Sequence, residues 1–173
     1  MCSMCRNNWL IICSYNFMKK QSAGILLYRT ADKKLEIFLV HPGGPYWKNK
    51  DIGAWTIPKG EFDDNETALD AAVREFQEET GHLLPGPFYP LAPIRQKGGK
   101  RVFAWATSGD LDAAAIKSNT FEMEWPPRSG RMQSFPEVSK GAWFDITTAS
   151  QIINPAQTAL LDELTSLTSG DGK

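Results

Sequence analysis

Residues 60–81, GEFDDNETALDAAVREFQEETG, set apolar and acidic residues at helical spacing. Leu69, Ala72, Val73 and Phe76 recur about one turn apart, which predicts a helix over 66–80 that packs one face on a sheet and ends at Gly81. Glu75, Glu78 and Glu79 fall within roughly 100° of one another on that helix. They occupy its last turns, where the negative end of the helix dipole disfavours an exposed carboxylate by about 0.3–1 kcal/mol. Arg74 stands four residues from Asp70 and from Glu78 and offsets part of this, but Glu75 and Glu79 have no basic residue three or four positions away. Such crowding marks either a solvated acidic face or a site that receives a positive partner. A hard divalent cation, Mg²⁺ or Mn²⁺, suits clustered carboxylates better than zinc does. Phosphate chemistry follows from such an ion, which neutralises phosphate oxygens and acidifies a bound water. Ala68 and Ala71 are expected on the glutamate side, leaving room for ions and phosphate.

The same stretch resembles the Nudix box, G-x5-E-x7-R-E-U-x-E-E-x-G-U, in which U is a bulky apolar residue. Gly60, Glu66, Arg74, Glu75, Phe76, Glu78, Glu79 and Gly81 are all in register, and His82 is the one departure, followed by Leu83. Less sharply, the resemblance extends over residues 22–164. It implies an α/β (α+β) fold, the Nudix-type α/β/α sandwich with a mixed sheet, whose loop–helix–loop holds Mg²⁺ or Mn²⁺. It also implies metal binding by Glu75, Glu78 and Glu79, one of them doubling as base, and by the backbone carbonyl of Lys59. Arg74 and Glu66 match positions that orient the others. A further carboxylate is implied from a later loop; Glu137, within 135–138 (FPEV), is the leading candidate, ahead of Glu122 and Glu124, which alternate on an expected strand.

Immediately upstream, residues 55–61 (WTIPKGE) resemble the W-x-x-P-K-G lead-in of dinucleoside polyphosphate hydrolases in that family, which points to substrates such as Ap4A. By local pattern, 55–58 reads as a short strand and 59–65 as a polar loop. Before it, residues 41–53 (HPGGPYWKNKDIG) form a Gly- and Pro-rich loop with two large aromatics. Tyr46 and Trp47 are expected to stack on a nucleobase, since a loop has little reason to carry them otherwise. Lys59, Lys97, Lys100 and Arg101 are candidates to meet a polyphosphate. Phe103 and Trp105 alternate on an expected strand and read equally as core.

Residues 22–29 and 35–41 read as a hairpin joined by 30–34. Downstream, 91–96 and 101–107 read as strands joined by the basic turn 97–100, 121–125 and 142–144 as short strands, and 152–167, broken by Pro155, as a helix pair. Strands on both sides of one central helix indicate a sandwich with a mixed sheet.

Composition frames the rest. At 173 residues, 42% hydrophobic and 23% charged, the chain suits one soluble domain and no membrane-embedded one. A net charge of -1 gives no general attraction to nucleic acid, leaving a capped RNA end as the one nucleic-acid substrate to consider. Cys2, Cys5 and Cys13 lie in the first thirteen residues, which argues against a disulfide framework and for the cytoplasm. Residues 1–17 are expected to be an extension outside a single domain spanning 18–173. A signal peptide fits poorly, because the apolar stretch 9–13 is short and lacks a small-residue cleavage site. The function expected is metal-dependent hydrolysis of a phosphoanhydride bond in a small nucleotide, foremost a dinucleoside polyphosphate. The alternatives are a nucleoside triphosphate or nucleotide-sugar pyrophosphohydrolase, and a nucleotide-binding module without catalysis.

Overall fold

The computed structural model describes residues 21–170, so the extension expected over 1–17, with its three cysteines, lies outside them. Strands β1 (Gln21–Ala31) and β2 (Lys34–Pro42) form the expected antiparallel hairpin, with Tyr28 opposite Ile37 and Ala31 opposite Lys34. Its two turn residues, Asp32 and Lys33, take φ of 48° and 62°, the left-handed backbone that matches a tight turn to the strand twist.

The hairpin is the middle of a mixed sheet. Strand β3 (Lys59–Phe62) pairs antiparallel with the start of β1. On the opposite edge of β1, β5 (Arg101–Ser108) runs parallel to it, and β4 (Tyr89–Arg95) runs antiparallel to β5. Strand β8 (Val138–Asp145) pairs with β2, giving the order β4-β5-β1-β2-β8. Alternate residues of β1 and β2 feed two cores. Ile25, Leu27, Phe38 and Val40 pack with Ala71, Ala72 and Phe76 of helix α1 (Ala68–Thr80). Leu26, Ile37 and Leu39 pack on the opposite face with Ala149 of α2 (Ile146–Ile152) and Leu160, Leu161 and Leu164 of α3 (Thr158–Gly170). The result is the helix–sheet–helix sandwich that the sequence predicts. No helix among the described residues is long and apolar enough to cross a membrane.

Several local expectations are corrected. Helix α1 starts at Ala68, not Glu66, because the Thr67 hydroxyl accepts from the Asp70 N–H and caps it; Gly81, at φ 76°, ends it. Ala71, one turn before Glu75, is fully buried in the core and so leaves no open room beside the glutamates, while Leu69 is only half-buried. Alanines are too small to reveal by themselves which stripe they belong to. Residues 55–58 are no strand: they make only isolated bridges, Val40 to Thr56 and Trp55 to Ile153. Pro58 has no N–H to continue a ladder. Instead the buried Gln157 side chain holds the segment, accepting from the Ile57 N–H (3.1 Å) and donating to Thr56 Oγ1 (2.7 Å). The expected loop 59–65 is β3 over its first four residues.

A separate two-stranded sheet, β6 (Thr120–Glu124) with β7 (Met132–Pro136), was only half legible. MQSFP is short, polar and proline-ended, so nothing local distinguishes β7 from a loop. The first closing helix lies earlier than expected and the second ends later: α2 precedes Pro155, capped by Asp145, and Pro155 opens a single 3-10 turn before α3, which runs to Gly170.

Candidate active site

The second half of α1 is organised by Arg74. Its guanidinium grips Glu66 with two bonds, from Nη2 to Oε1 (2.7 Å) and from Nε to Oε2 (3.2 Å). The remaining Nη1 donates to Glu75 Oε1 (2.8 Å) and Glu78 Oε2 (3.0 Å). The hydrogen bonds to Glu66 are the first reason that its guanidinium is held above its ordinary pKa. Glu75 therefore has a basic partner after all. The spacing rule for helix pairs concerns three and four residues, but a long arginine side chain can curl back onto its neighbour. Asp70 is not a partner; its carboxylate accepts from the Thr67 hydroxyl in the cap.

Strand β3 supplies the floor. The Glu75 carboxylate lies against Gly60, at a place where a Cβ would overlap it. One residue earlier, the Lys59 N–H donates to Glu79 Oε2 at 3.0 Å. Burial pushes the Glu79 carboxyl up to about 8, only partly offset by Lys59 nearby, and the same burial lowers the Lys59 ammonium. Burial raises Glu75 as well, against the hydrogen bond from Arg74. Glu137 adds like charge to both carboxylates. The local environment is thus poorly suited to its own negative charges.

Glu137 reaches this place through backbone bonds that cross the fold. The Glu78 carbonyl accepts from Asn119 N–H (3.0 Å), the Asn119 carbonyl from Glu137 N–H (2.8 Å), and the Glu137 carbonyl from Gly43 N–H (2.8 Å). This strap ties the end of α1, the start of β6, the β7–β8 junction and the loop after β2 together. Gly43 approaches Pro136 so closely that a side chain there would strike its carbonyl. Nearby, buried His41 bonds Ser139 Oγ and the Lys50 carbonyl, anchoring both ends of the 42–50 loop.

The outcome is a cavity of about 410 Å³ lined by Lys59, Glu75, Glu79 and Glu137, with Trp47 and Phe121 in its wall. Glu78 is not in the lining and keeps its carboxylate on Arg74. Glu122 is exposed, and Glu124 accepts from the Gly130 N–H inside the β6–β7 turn, so neither joins the cavity. No three acidic, histidine or cysteine side chains among the described residues stand at metal-holding spacing, since Glu75 turns to Arg74 and Glu79 to the Lys59 N–H. The donor set is nevertheless all hard oxygen, set over a glycine floor and disfavoured by its burial as free anions; that chemistry fits Mg²⁺ or Mn²⁺.

Trp47 lines the cavity, half-exposed, with the Lys50 ammonium 5.3 Å from its ring centre. Tyr46 is exposed and faces away from it, edge-on to Trp125 at 5.2 Å. Lys100 sits at the rim, paired at 2.9 Å with Glu61, which itself lines the cavity. Lys97 is exposed on the adjoining turn, and the Arg101 guanidinium lies over Phe103. Phe103 meets Phe62 edge-on, and Trp105 packs against the α1 core, so both read as packing. Phe121, Gly43 and Glu61 are site residues that sequence reasoning missed. Only the Pro-Gly-Gly run 42–44 carried a local signal, that of a close backbone approach.

Comparison with known proteins gives three findings. The family model described as the NUDIX domain matches residues 18–164. An 8-oxo-(d)GTP phosphatase of Mycolicibacterium smegmatis is 33% identical over 137 residues, which is 69% of this chain and 39% of that protein. The chain thus spans about two fifths of that relative's length. Among solved structures, a C. elegans Ap4A hydrolase binary complex superposes with a TM-score of 0.62 at 22% identity, covering 87% of this chain and 98% of that one. The NUDIX domain of Shewanella oneidensis NrtR, complexed with ADP ribose, superposes with a TM-score of 0.59 at 16% identity, covering 86% of each. At such identities the structural likeness speaks for the fold alone.

Proposed function

The chain belongs to the Nudix hydrolase family, and from that premise we propose that it hydrolyses a phosphoanhydride bond in a nucleoside diphosphate-linked substrate, foremost a dinucleoside polyphosphate such as Ap4A. The observation that carries this reading is the meeting of Glu75, Glu79 and Glu137 with Lys59 on one cavity, behind an arginine that clamps Glu66, Glu75 and Glu78. Glu75, Glu78, Glu79, Glu137 and the Lys59 carbonyl would hold Mg²⁺ or Mn²⁺, which when bound supplies charge neutralisation and a water acidic enough to attack at neutral pH.

The chain's own groups do the rest. Arg74 fixes the rotamers of Glu75 and Glu66, an orienting role that a flexible carboxylate needs. Gly60 leaves space beside Glu75. Lys59 and Lys100 bring positive charge to the phosphate chain, and Trp47 offers a ring to a base at the cavity wall. The Trp-x-x-Pro-Lys-Gly lead-in at 55–60 and the aromatic loop favour the dinucleoside substrate. A second reading, a nucleoside triphosphate pyrophosphohydrolase, is favoured by the 33% identity to the phosphatase acting on 8-oxo-(d)GTP.

Incubation with Ap4A, Ap3A, nucleoside triphosphates including 8-oxo-dGTP, ADP-ribose and capped RNA, with Mg²⁺ or Mn²⁺ and product chromatography, tests both. Fastest cleavage of Ap4A into two unequal nucleotides, abolished by EDTA, is expected. Preferred cleavage of triphosphates would select the second reading. No cleavage of any substrate would leave a binding module.

A further inference from the structure

Pro42 lines two cavities, the one with the carboxylates and a second of about 500 Å³ on the other side of the 42–48 loop. The second has flat apolar walls, Trp125 and Phe135 from the β6–β7 hairpin and Pro45 from the loop, and two cations, Lys48 and Lys140, at its edge. Its size is that of an ordinary small-ligand pocket.

The walls are braced and some of the polar groups are free. Tyr46 buttresses Trp125 edge-on, and Gln133 donates to the Trp125 carbonyl at 3.0 Å, holding the hairpin. His41 contributes wall only, since both ring nitrogens are engaged by Ser139 and by backbone carbonyls. Lys140 pairs at 3.5 Å with Asp51 and lies over Trp55. Lys48 has no hydrogen bond or ion pair, and the Trp125 indole N–H no acceptor, among the described residues. Aromatic rings beside cations are what a phosphate-bearing nucleobase requires, because each base has a face to stack and each phosphate needs a counter-charge.

We infer that the second cavity is a subsite for the far nucleoside of a substrate whose phosphate chain crosses at Pro42 into the carboxylate cavity. Its occupant is a nucleobase stacked on Trp125, with Lys48 facing the phosphate attached to it. The two aromatics of the 41–53 loop then serve different cavities, Trp47 the catalytic one and Tyr46 the support of Trp125. The identity of the ligand rests on the dinucleoside reading above; the subsite itself rests on the cavity.

Equilibrium binding in EDTA tests it without turnover. In the wild-type chain Ap4A is expected to bind about tenfold or more tighter than ATP, the worth of one additional base on an aromatic ring. Trp125→Ala should remove most of that margin while moving the ATP Kd less than about twofold, since the catalytic cavity is a separate site. Lys48→Ala, whose side chain makes no polar contact in the fold, should narrow the same margin and serves if Trp125→Ala fails to fold. Equal Kd values for the two ligands in wild type, or variants that weaken both ligands alike, would overturn the subsite. A binding margin without Ap4A hydrolysis in Mg²⁺ or Mn²⁺ would instead overturn the catalytic reading and leave the subsite standing.

Discussion

The Glu75 carboxylate occupies the space that a side chain at Gly60 would need. Gly60→Ala must therefore push Glu75 aside or bend β3 away from α1. Overpacking of this kind costs about 1–3 kcal/mol. Displacing a positioned group by an ångström costs roughly 100-fold in rate. The expected outcome is a lower Tm together with a loss of kcat of that order. Wild-type turnover by Gly60→Ala would separate Glu75 from the chemistry.

Arg74 holds three carboxylates with a planar fork, a geometry that lysine cannot copy. Arg74→Lys is expected to keep the charge but lower kcat about tenfold or more, as Glu75 loses its fixed orientation. Glu78→Gln is expected to lose hydrolysis by orders of magnitude while stability without metal changes little, because a half-exposed pair at four-residue spacing is worth only about 0.3–0.5 kcal/mol. Turnover equal to wild type at saturating Mg²⁺ would leave Glu78 as no more than a partner of Arg74.

Tyr46 and Trp47 are 55% and 38% exposed, so neither is a core residue. Changing both to alanine is expected to raise KM about tenfold or more through lost stacking. Tm should change little. A large fall in Tm with KM intact would make the loop a packing element.

Asp145 caps α2, and hydrogen bonds from the Thr148 hydroxyl and from the N–H groups of Thr148 and Thr147 hold its carboxyl below the usual range. A depressed carboxylate contributes stability that is present above its unfolded pKa and lost as pH falls through the folded one. Asp145→Ala should lower Tm near neutrality, and the gap to wild type should close in acid below the ordinary carboxylate range. A gap unchanged across that range, followed by thermal melts, would mean that the charge plays no part in the cap.

The sequence by itself determined the elements whose causes are local. The apolar rhythm of 69–76, the end at Gly81 and the hairpin over 22–41 all follow from rules that span four residues or fewer, and the box pattern named the same glutamates that crowd α1. The tertiary structure decided which of them share a cavity. Lys59, Glu79 and Glu137 lie far apart in the chain and meet because β3 pairs with β1 while β8 pairs with β2, which brings the start of β8 to the loop after β2. Glu78, adjacent to Glu79, is turned instead to Arg74. Neither the burial of Ala71 nor the existence of β7 was legible, for a related reason. An alanine or a short polar strand carries too little side-chain information to choose its neighbours, and only the partner across the fold makes the choice.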